Sequence, residues 1–208
     1  MLKGLASDIS GKADICLPVR DLSKCLAVDY LVPGETIVFS LQSAKEEFTF
    51  TNEAVLFVEG SNATTTRKLV TRYRYKSNVI SKVAFESAGR VDRDCEIKFK
   101  IGDTSISIDV ARAEDATAQL YYKVLELLSR AQLANVRNWD FCKTALKHSA
   151  EALRLTEQSG QTLTRQSDEV VAWMQRQYAH YNPECYRDVI NNAFEQVQAG
   201  RKSVAGHP

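Results

Sequence analysis

Polar and apolar residues alternate with a period of two along most of the stretch from Glu35 to Val110. This period is typical of strands that turn one face to a core and the other to water. Turn residues such as Gly102-Asp103 separate the segments. The pattern predicts seven strands, and spacing of this kind is typical of a meandering antiparallel barrel or a pair of packed sheets. The predicted strands are 35–41, 47–50, 54–58, 68–76, 79–85, 96–101 and 105–110.

The period becomes helical after Ala111. Leu120, Val124, Leu127 and Ala131 recur at steps of three and four, which predicts an amphipathic helix that caps the barrel. One core should therefore combine strand and helix residues. The residues expected to line it are Leu69, Tyr73, Phe85, Ile97, Phe99, Ile106 and Ile108, with Leu120, Val124 and Leu127 packed over them.

A polar helical region follows, and Ser159-Gly160 interrupts it. A second helix should end at Asn182-Pro183, and a third, shorter helix should carry Tyr186 to Val197. The first two form a hairpin whose apolar stripes are too narrow for an independent core, so we expect a second copy to cover them. The predicted interface is Phe141, Leu146, Leu153, Leu163, Val170, Val171, Trp173, Met174 and Tyr178.

Seven strands followed by one amphipathic helix is the order of a pleckstrin homology (PH) domain. The segments FTNEAVLFVEG, YKSNVISKVAFESAG and RVDRDCEIKFKI, between Phe50 and Ile101, resemble the bacterial-type PH domain family. The resemblance covers about Val32 to Gln132 and implies an α+β fold: a seven-stranded antiparallel PH-like barrel capped by one helix and followed by an α-helical hairpin. It also implies assembly, since bacterial PH domains are known to form rings.

The C-terminal helices are similar to a YvbH-like extension, which is regarded as an oligomerisation region. The predicted organisation is an N-terminal lead-in at 1–31, the PH domain at 32–132, the helical extension at 133–199 and a disordered tail at 200–208.

Composition excludes several classes of function. The 27 basic residues nearly cancel the 26 acidic ones, so no protein-wide field attracts nucleic acid or an anionic membrane. We find no secretory or membrane-spanning apolar run and therefore expect a cytoplasmic protein. Five scattered cysteines without C-x-x-C spacing favour reduced thiols over disulfides or a zinc site, so no metal or cofactor is expected.

The basic stretch TRKLVTRYRYKS, from Thr66 to Ser77, is the candidate binding site. Alternation places its tyrosines toward the core and its cations toward water, which disfavours nucleic-acid stacking. Either a solvated or self-associating strand edge or an anionic-ligand surface fits this pattern. The first hairpin offers Lys45 followed by two acids, which argues against inositol-lipid capture. The candidate patch comprises Arg67, Lys68, Arg72, Arg74 and Lys76, and all but Arg67 are expected to be exposed cations on an edge that tolerates charge reversal.

The sequence contains few features that are typical of a catalytic site. His148, His180 and His207 are scattered, and no catalytic residues can be proposed from their spacing. The sequence therefore predicts a non-enzymatic scaffold that assembles with its own copies through the PH module and the hairpin. The alternative is a peripheral module that docks a peptide or an anionic membrane through residues 67–76.

Overall fold

The computed structural model of the protein describes residues 14–60, 68–87, 94–152 and 163–205, with side chains except at 150–152, 163 and 202–205. It confirms the α+β class and the predicted strand order, and adds one short strand at the start. The strands are β1 Leu17–Pro18, β2 Ile37–Gln42, β3 Glu46–Thr51, β4 Ala54–Gly60, β5 Lys68–Arg74, β6 Ile80–Glu86, β7 Asp94–Ile101 and β8 Thr104–Ala111.

The strands form two antiparallel sheets, in the orders β1-β2-β3-β4-β5 and β6-β7-β8. Among the described residues no continuous ladder of hydrogen bonds joins the two sheets. The prediction that the strands close into one barrel is therefore wrong. The chain around β1 links the sheets instead. The Cys16 amide donates to the Asp109 carbonyl at 2.7 Å, and the Val19 amide donates to the Ser40 carbonyl at 3.0 Å. One short segment thus contacts both sheets.

The main core lies between the two sheets and confirms the predicted strand register. Phe99 is 2% exposed, and its neighbour Lys98 points outward into ion pairs with Glu86 and Glu96. Aromatic stacking extends the core toward the helices, since the ring of Phe39 stacks on Phe50 at a centroid distance of 4.3 Å and on the helix residue Tyr121 at 4.2 Å. The fully buried members include Leu41, Val55, Ile80, Ile97, Ile101, Ile108, Val110, Val124, Leu125 and Leu128.

Leu69 is an exception to the predicted core. Its side chain is 62% exposed. It lies near the start of β5, the last strand of its sheet, opposite Glu59 at the half-exposed end of β4. Alternation places Leu69 on the same side as Tyr73, but the packed core does not reach that end of the strand.

In the part of the chain that the structure describes, three α-helices follow the strands: α1 Asp115–Ala152, α2 Leu163–Tyr181 and α3 Arg187–Ala205. The chain forms two compact units, one of residues 1–129 with 185–208 and the other of residues 130–184. Helix α1 is one continuous helix of 38 residues that begins in the first unit and ends in the second. The predicted break at Ser159-Gly160 lies outside the described residues.

Helix α3 belongs to the first unit, although the hairpin precedes it in the chain. Tyr186, Ile190 and Ala193, a set with helical spacing, are buried in the main core. The ring of Tyr186 meets Tyr75 edge-on at a centroid distance of 5.9 Å. The helix continues to Ala205, whereas the sequence predicted a tail from residue 200 onward.

The lead-in segment covers the outer face of the first sheet. It contains two short 3-10 helices, Leu22–Lys24 and Leu26–Tyr30. Leu26 and Ala27 pack in a second, smaller apolar cluster with Ala54, Leu56, Val58 and Val70. Both faces of this sheet are therefore partly covered, which explains why residues of β4 are buried without strict alternation.

Candidate functional site

The described residues of the predicted basic patch differ in exposure and do not form one cationic surface. Lys68 and Arg74 are exposed on β5, and Lys76 is half-buried after the strand ends. Arg67 lies outside the described residues. The even-numbered residues of β5 do not all face solvent, because Val70 packs against the lead-in segment. Of the described patch residues, only Lys68 and Arg74 are thus exposed.

Arg72 is held in a clamp, and its prediction as an exposed cation is wrong. One guanidinium nitrogen, Nη1, donates to both carboxylate oxygens of Glu35, at 2.6 and 2.7 Å. The other, Nη2, donates to the Tyr30 carbonyl at 2.7 Å. The side chain of Arg72 is 25% exposed and that of Glu35 is fully buried. The interaction ties the lead-in segment to β5.

The Glu35 carboxylate is satisfied from several directions. It also accepts from the Thr51 hydroxyl at 2.7 Å and from the Val32 amide at 3.1 Å. Burial alone would raise the pKa of Glu35, but the hydrogen bonds from Arg72, Thr51 and Val32 outweigh it and lower the pKa below its usual value. The carboxylate is therefore held in its charged form as a structural group.

A second buried carboxylate fixes the same segment. Glu47 accepts from the Leu26 amide at 2.7 Å, the Ala27 amide at 2.9 Å and the Thr49 hydroxyl at 2.7 Å. The two amides begin the second 3-10 helix and have no partner within it. Glu47 therefore caps that helix from the sheet below. Sequence reasoning missed this role because the two sides are about 20 residues apart.

The Thr51-Asn52 turn between β3 and β4 connects three parts of the first unit. Asn52 is 1% exposed, and its Oδ1 accepts from the Thr36 amide at 2.6 Å. Its Nδ2 donates to the Cys185 sulfur at 3.2 Å, and its carbonyl accepts from the Tyr186 amide at 2.7 Å. The turn thus fixes the residue before β2 and the start of α3.

The predicted interface residues on the hairpin are largely solvent-facing within one chain. Phe141 is 72% exposed, Val171 54%, Val170 44% and Trp173 36%. Leu146 and Met174 are half-buried. Leu153 lies outside the described residues, and the side chain of Leu163 is not described. No apolar side chain described between residues 130 and 184 is buried.

Tyr178 has a partner within the hairpin that sequence reasoning missed. Its ring meets Trp139 edge-on at a centroid distance of 5.4 Å, although Tyr178 is still 45% exposed. The Lys143 ammonium lies 5.8 Å from the centroid of the Trp139 ring, and Lys143 also pairs with Asp140 at 2.8 Å. This contact joins α1 to α2, and helical spacing alone could not identify which aromatic residues would meet.

A shallow groove of about 550 Å³ lies between the chain around β1 and the turn after β2. Arg20 and Lys24 line it, but both are engaged in ion pairs, with Glu114 and Asp21 respectively. The groove therefore offers no cation without an acidic partner of its own. Its other lining residues are Ile15, Leu17, Pro18, Val19, Asp21, Gln42, Ser43 and Ala44.

Carboxylates gather beside this groove. Burial, together with the charges of Asp14, Glu59 and Asp109, raises the pKa of Glu46 to about 7, and Lys45 opposes the shift. Glu46 and Glu59 are direct partners across the β3–β4 ladder, where like charges are destabilising. Within the described ranges, no group of three His, Cys, Asp or Glu residues could hold a metal ion.

The cysteines in the described ranges are all free thiols. Burial raises the pKa of Cys16 to about 12 and that of Cys95 to about 11, so neither thiol ionises readily. None of the described helices is long and apolar enough to cross a membrane.

Comparison with known proteins matches residues 10–129 to the model of the bacterial PH domain. The uncharacterised protein YvbH of Bacillus subtilis strain 168 is 35% identical over 139 residues, which are 65% of this chain and 68% of that protein. The crystal structure of a PH-domain-containing protein from Exiguobacterium sibiricum 255-15 matches with a TM-score of 0.79 and 31% identity. It covers 87% of this chain and all of that chain, so the similarity extends beyond residue 129. This chain belongs to the bacterial PH domain family.

Proposed function

We propose that this protein is a non-enzymatic, cytoplasmic scaffold that assembles with its own copies. The hairpin of residues 130–184 supplies the main contact, and the PH unit supplies a second contact through a sheet edge. The observation that carries the proposal is that the described part of the hairpin contains no buried apolar side chain. Its described apolar side chains are all at least partly exposed, including Leu133, Val136, Phe141, Val170, Val171, Trp173 and Tyr178.

A single chain leaves this surface in water at a considerable cost. Transfer of apolar surface out of water is worth about 25 cal/mol per Å², and soluble monomers rarely expose large contiguous apolar patches. Two-fold association is the simplest way to cover such residues on both helices, because it buries the same patch twice. The structural match to the protein from Exiguobacterium sibiricum 255-15 extends past the PH domain, so the two proteins share part of the helical extension.

The test is sedimentation velocity of the full chain and of two double variants. Phe141→Asp with Val171→Asp places charges at two of the most exposed apolar positions, where they should disrupt association without affecting the fold of one chain. Thr144→Asp with Gln175→Asp is the matched control, because these side chains are exposed and polar on the same helices.

We expect the wild type and the control to sediment as one oligomer and the F141D/V171D variant as a monomer with unchanged circular dichroism. A monomeric wild type at high micromolar concentration would contradict the proposal, as would an oligomer that the F141D/V171D variant leaves intact.

A second candidate function is docking of a partner through β5. The exposed cations Lys68 and Arg74 favour it, while the engagement of Arg72 with Glu35 weakens the case for a broad anionic-ligand patch.

A further inference from the structure

Residues 14–19 connect the two sheets through a short set of hydrogen bonds. They form a ladder of two residue pairs with β2, whereas the other ladders have five to eight pairs each. On the side of β8, the Cys16 amide donates to the Asp109 carbonyl at 2.7 Å, and the Ala111 amide donates to the Cys16 carbonyl at 3.0 Å. Of the side chains in this segment, Cys16 and Pro18 are buried. The segment can therefore open at a lower free energy than either sheet unfolds.

Four carboxylates surround this connection, one on the segment and three on the strands beside it. The segment contributes Asp14, and β8 contributes Asp109. Glu46 lies on the same face of β3 as the core residue Phe48, because side chains two positions apart share a face. Its direct partner on β4 is Glu59. The sheets thus place like charges at the end of the core that the segment covers.

The charges that act on Glu46 are mostly negative. Burial is the largest cause of its raised pKa, followed by the charge of Asp14 and then by those of Glu59 and Asp109. Lys45 opposes the shift, and its ammonium pairs with the Asp14 carboxylate at 3.1 Å. Loss of the proton from Glu46 therefore adds a negative charge to a cluster in which carboxylates outnumber ammonium groups.

Asp109 has further charged neighbours on the second sheet. Burial is the largest cause of its raised pKa, and the charges of Asp94 and Glu96 on β7 add to it. Lys98 lowers the pKa of Asp109, but its ammonium also forms ion pairs with Glu86 and Glu96. The cation of β7 is thus engaged with carboxylates of its own sheet.

We propose that residues 14–19 form a pH-sensitive clasp, which closes across the two sheets when Glu46 carries a proton and loosens when Glu46 is charged. Asp14 is the carboxylate that can move away, because the other three lie on the longer ladders. The opening ends at Arg20, whose guanidinium is bonded to Glu114 at 2.7 Å. Residues of the clasp also line the groove of about 550 Å³, so loosening changes the shape of that groove.

Proton linkage sets the direction of the effect. Opening the clasp exposes Glu46 to water and removes Asp14, which returns the pKa of Glu46 from about 7 toward its ordinary 4.5. The closed form binds more protons between these values, so opening becomes easier as pH rises through this window. From pH 6 to pH 8 the equilibrium constant for opening should rise by at most about tenfold, the limit for complete release of Glu46. The clasp belongs to the PH unit and does not depend on assembly through the hairpin.

The test is amide hydrogen exchange of the full chain between pH 6 and pH 8, with each rate corrected for the intrinsic rate at that pH. The reporters are the amides of Cys16 and Val19, which donate hydrogen bonds to opposite sheets. The amide of Phe99 in β7 reports opening of the whole fold. Glu46→Gln is the test variant, and Glu195→Gln on the exposed surface of α3 is the matched control.

The Cys16 and Val19 amides should be at least about tenfold less protected than the Phe99 amide, because they exchange through a local opening. Their protection in the wild type and in the Glu195→Gln protein should fall several-fold from pH 6 to pH 8. In the Glu46→Gln protein it should stay constant, since the titrating group is gone.

A second variant tests the contribution of the cluster. Glu59→Gln removes a repelling charge from the strand beside Glu46, so the fall in protection of the clasp amides should move to lower pH. Protection that is constant with pH in the wild type, or that falls equally in the Glu46→Gln protein, would overturn the proposal. Equal protection of the Val19 and Phe99 amides at every pH would also overturn it, because the segment would then open only when the whole fold unfolds.

Discussion

At the scale of single residues, the most informative side chain is Arg72. Its position in a basic strand suggests a ligand contact, but its guanidinium connects a fully buried carboxylate to the backbone of the lead-in segment. A cation with this much internal bonding has little capacity left for an external anion. Arg72 therefore serves the fold, and Lys68 and Arg74 are the exposed cations of β5.

Arg72→Met should destabilise the protein by about 3 kcal/mol, because it leaves the buried Glu35 carboxylate without its charge partner. The free energy of unfolding measured in urea gives the result. Arg74→Met is the matched control on the exposed part of the same strand and should change stability by less than about 1 kcal/mol.

Adding Glu35→Gln to the Arg72→Met chain should restore part of the loss, since it removes the uncompensated charge. Equal stability of the Arg72→Met and Arg74→Met proteins would show that the clamp contributes nothing.

The raised pKa of Glu46 predicts a pH dependence of protein stability that is opposite in sign to the one expected from the lowered pKa of Glu35. Its pKa in the folded protein is about 7, above the ordinary 4.5. Between these values the folded state binds more protons than the unfolded state, so stability falls as pH rises through this window. Below the window the carboxyl is neutral in both states, and above it the carboxyl is charged in both.

Glu46→Gln should therefore stabilise the protein at pH 8 by on the order of 1 kcal/mol, a value reduced for solvent screening at a half-buried site. The advantage should shrink toward zero near pH 4. Urea titrations of both proteins across this range measure the difference, with Glu195→Gln on the surface of α3 as the control. A stability difference that is constant with pH would refute the assignment.

At the scale of elements, helix α3 is part of the PH unit rather than of the hairpin. Tyr186, Ile190 and Ala193 complete the main core, and Phe194 meets Phe39 edge-on at a centroid distance of 5.9 Å. The Arg201 guanidinium also donates to the Ala116 carbonyl at the start of α1 at 2.7 Å. A chain that ends after the capping helix would lack these contacts.

Deletion of residues 134–208 should therefore fail to give a stable PH domain, although the sequence pattern alone would treat that region as separable. Ile190→Ala tests the same point in the full chain and should cost about 2 to 5 kcal/mol, as expected for a buried isoleucine. Asn191→Ala, exposed on the same helix, is the control. Thermal unfolding followed by circular dichroism provides the measurement. Equal melting temperatures for the Ile190→Ala and Asn191→Ala proteins would contradict the assignment of α3 to the PH core.

At the scale of the whole molecule, the chain consists of a PH unit with its own core and a hairpin inserted between two helices of that unit. The PH unit has many fully buried apolar side chains, whereas the described part of the hairpin has none. The proposed assembly through the hairpin therefore predicts a stability that depends on protein concentration.

Thermal unfolding of the wild type should consequently show a melting temperature that rises with protein concentration, because association stabilises the folded state by mass action. The F141D/V171D variant should melt at a temperature independent of concentration. Scanning calorimetry over a hundredfold dilution series provides the measurement. A wild-type melting temperature that stays constant would mean that association does not contribute to stability.

The sequence by itself determined the strands, the helices and the register of the core, because these depend on hydrophobic periods within a few residues of the chain. Phe99 inward with Lys98 outward and the amphipathic start of α1 are examples. Only the tertiary structure decided which elements meet. Arg72 and its partner Glu35 are 37 positions apart in the chain, and Asn52 and its partner Cys185 are 133 positions apart. No local hydrophobic period carries information over such distances. Alternation indicates which face of a strand a side chain lies on. Whether that face contacts water, a buried carboxylate or another helix depends on segments from elsewhere in the chain.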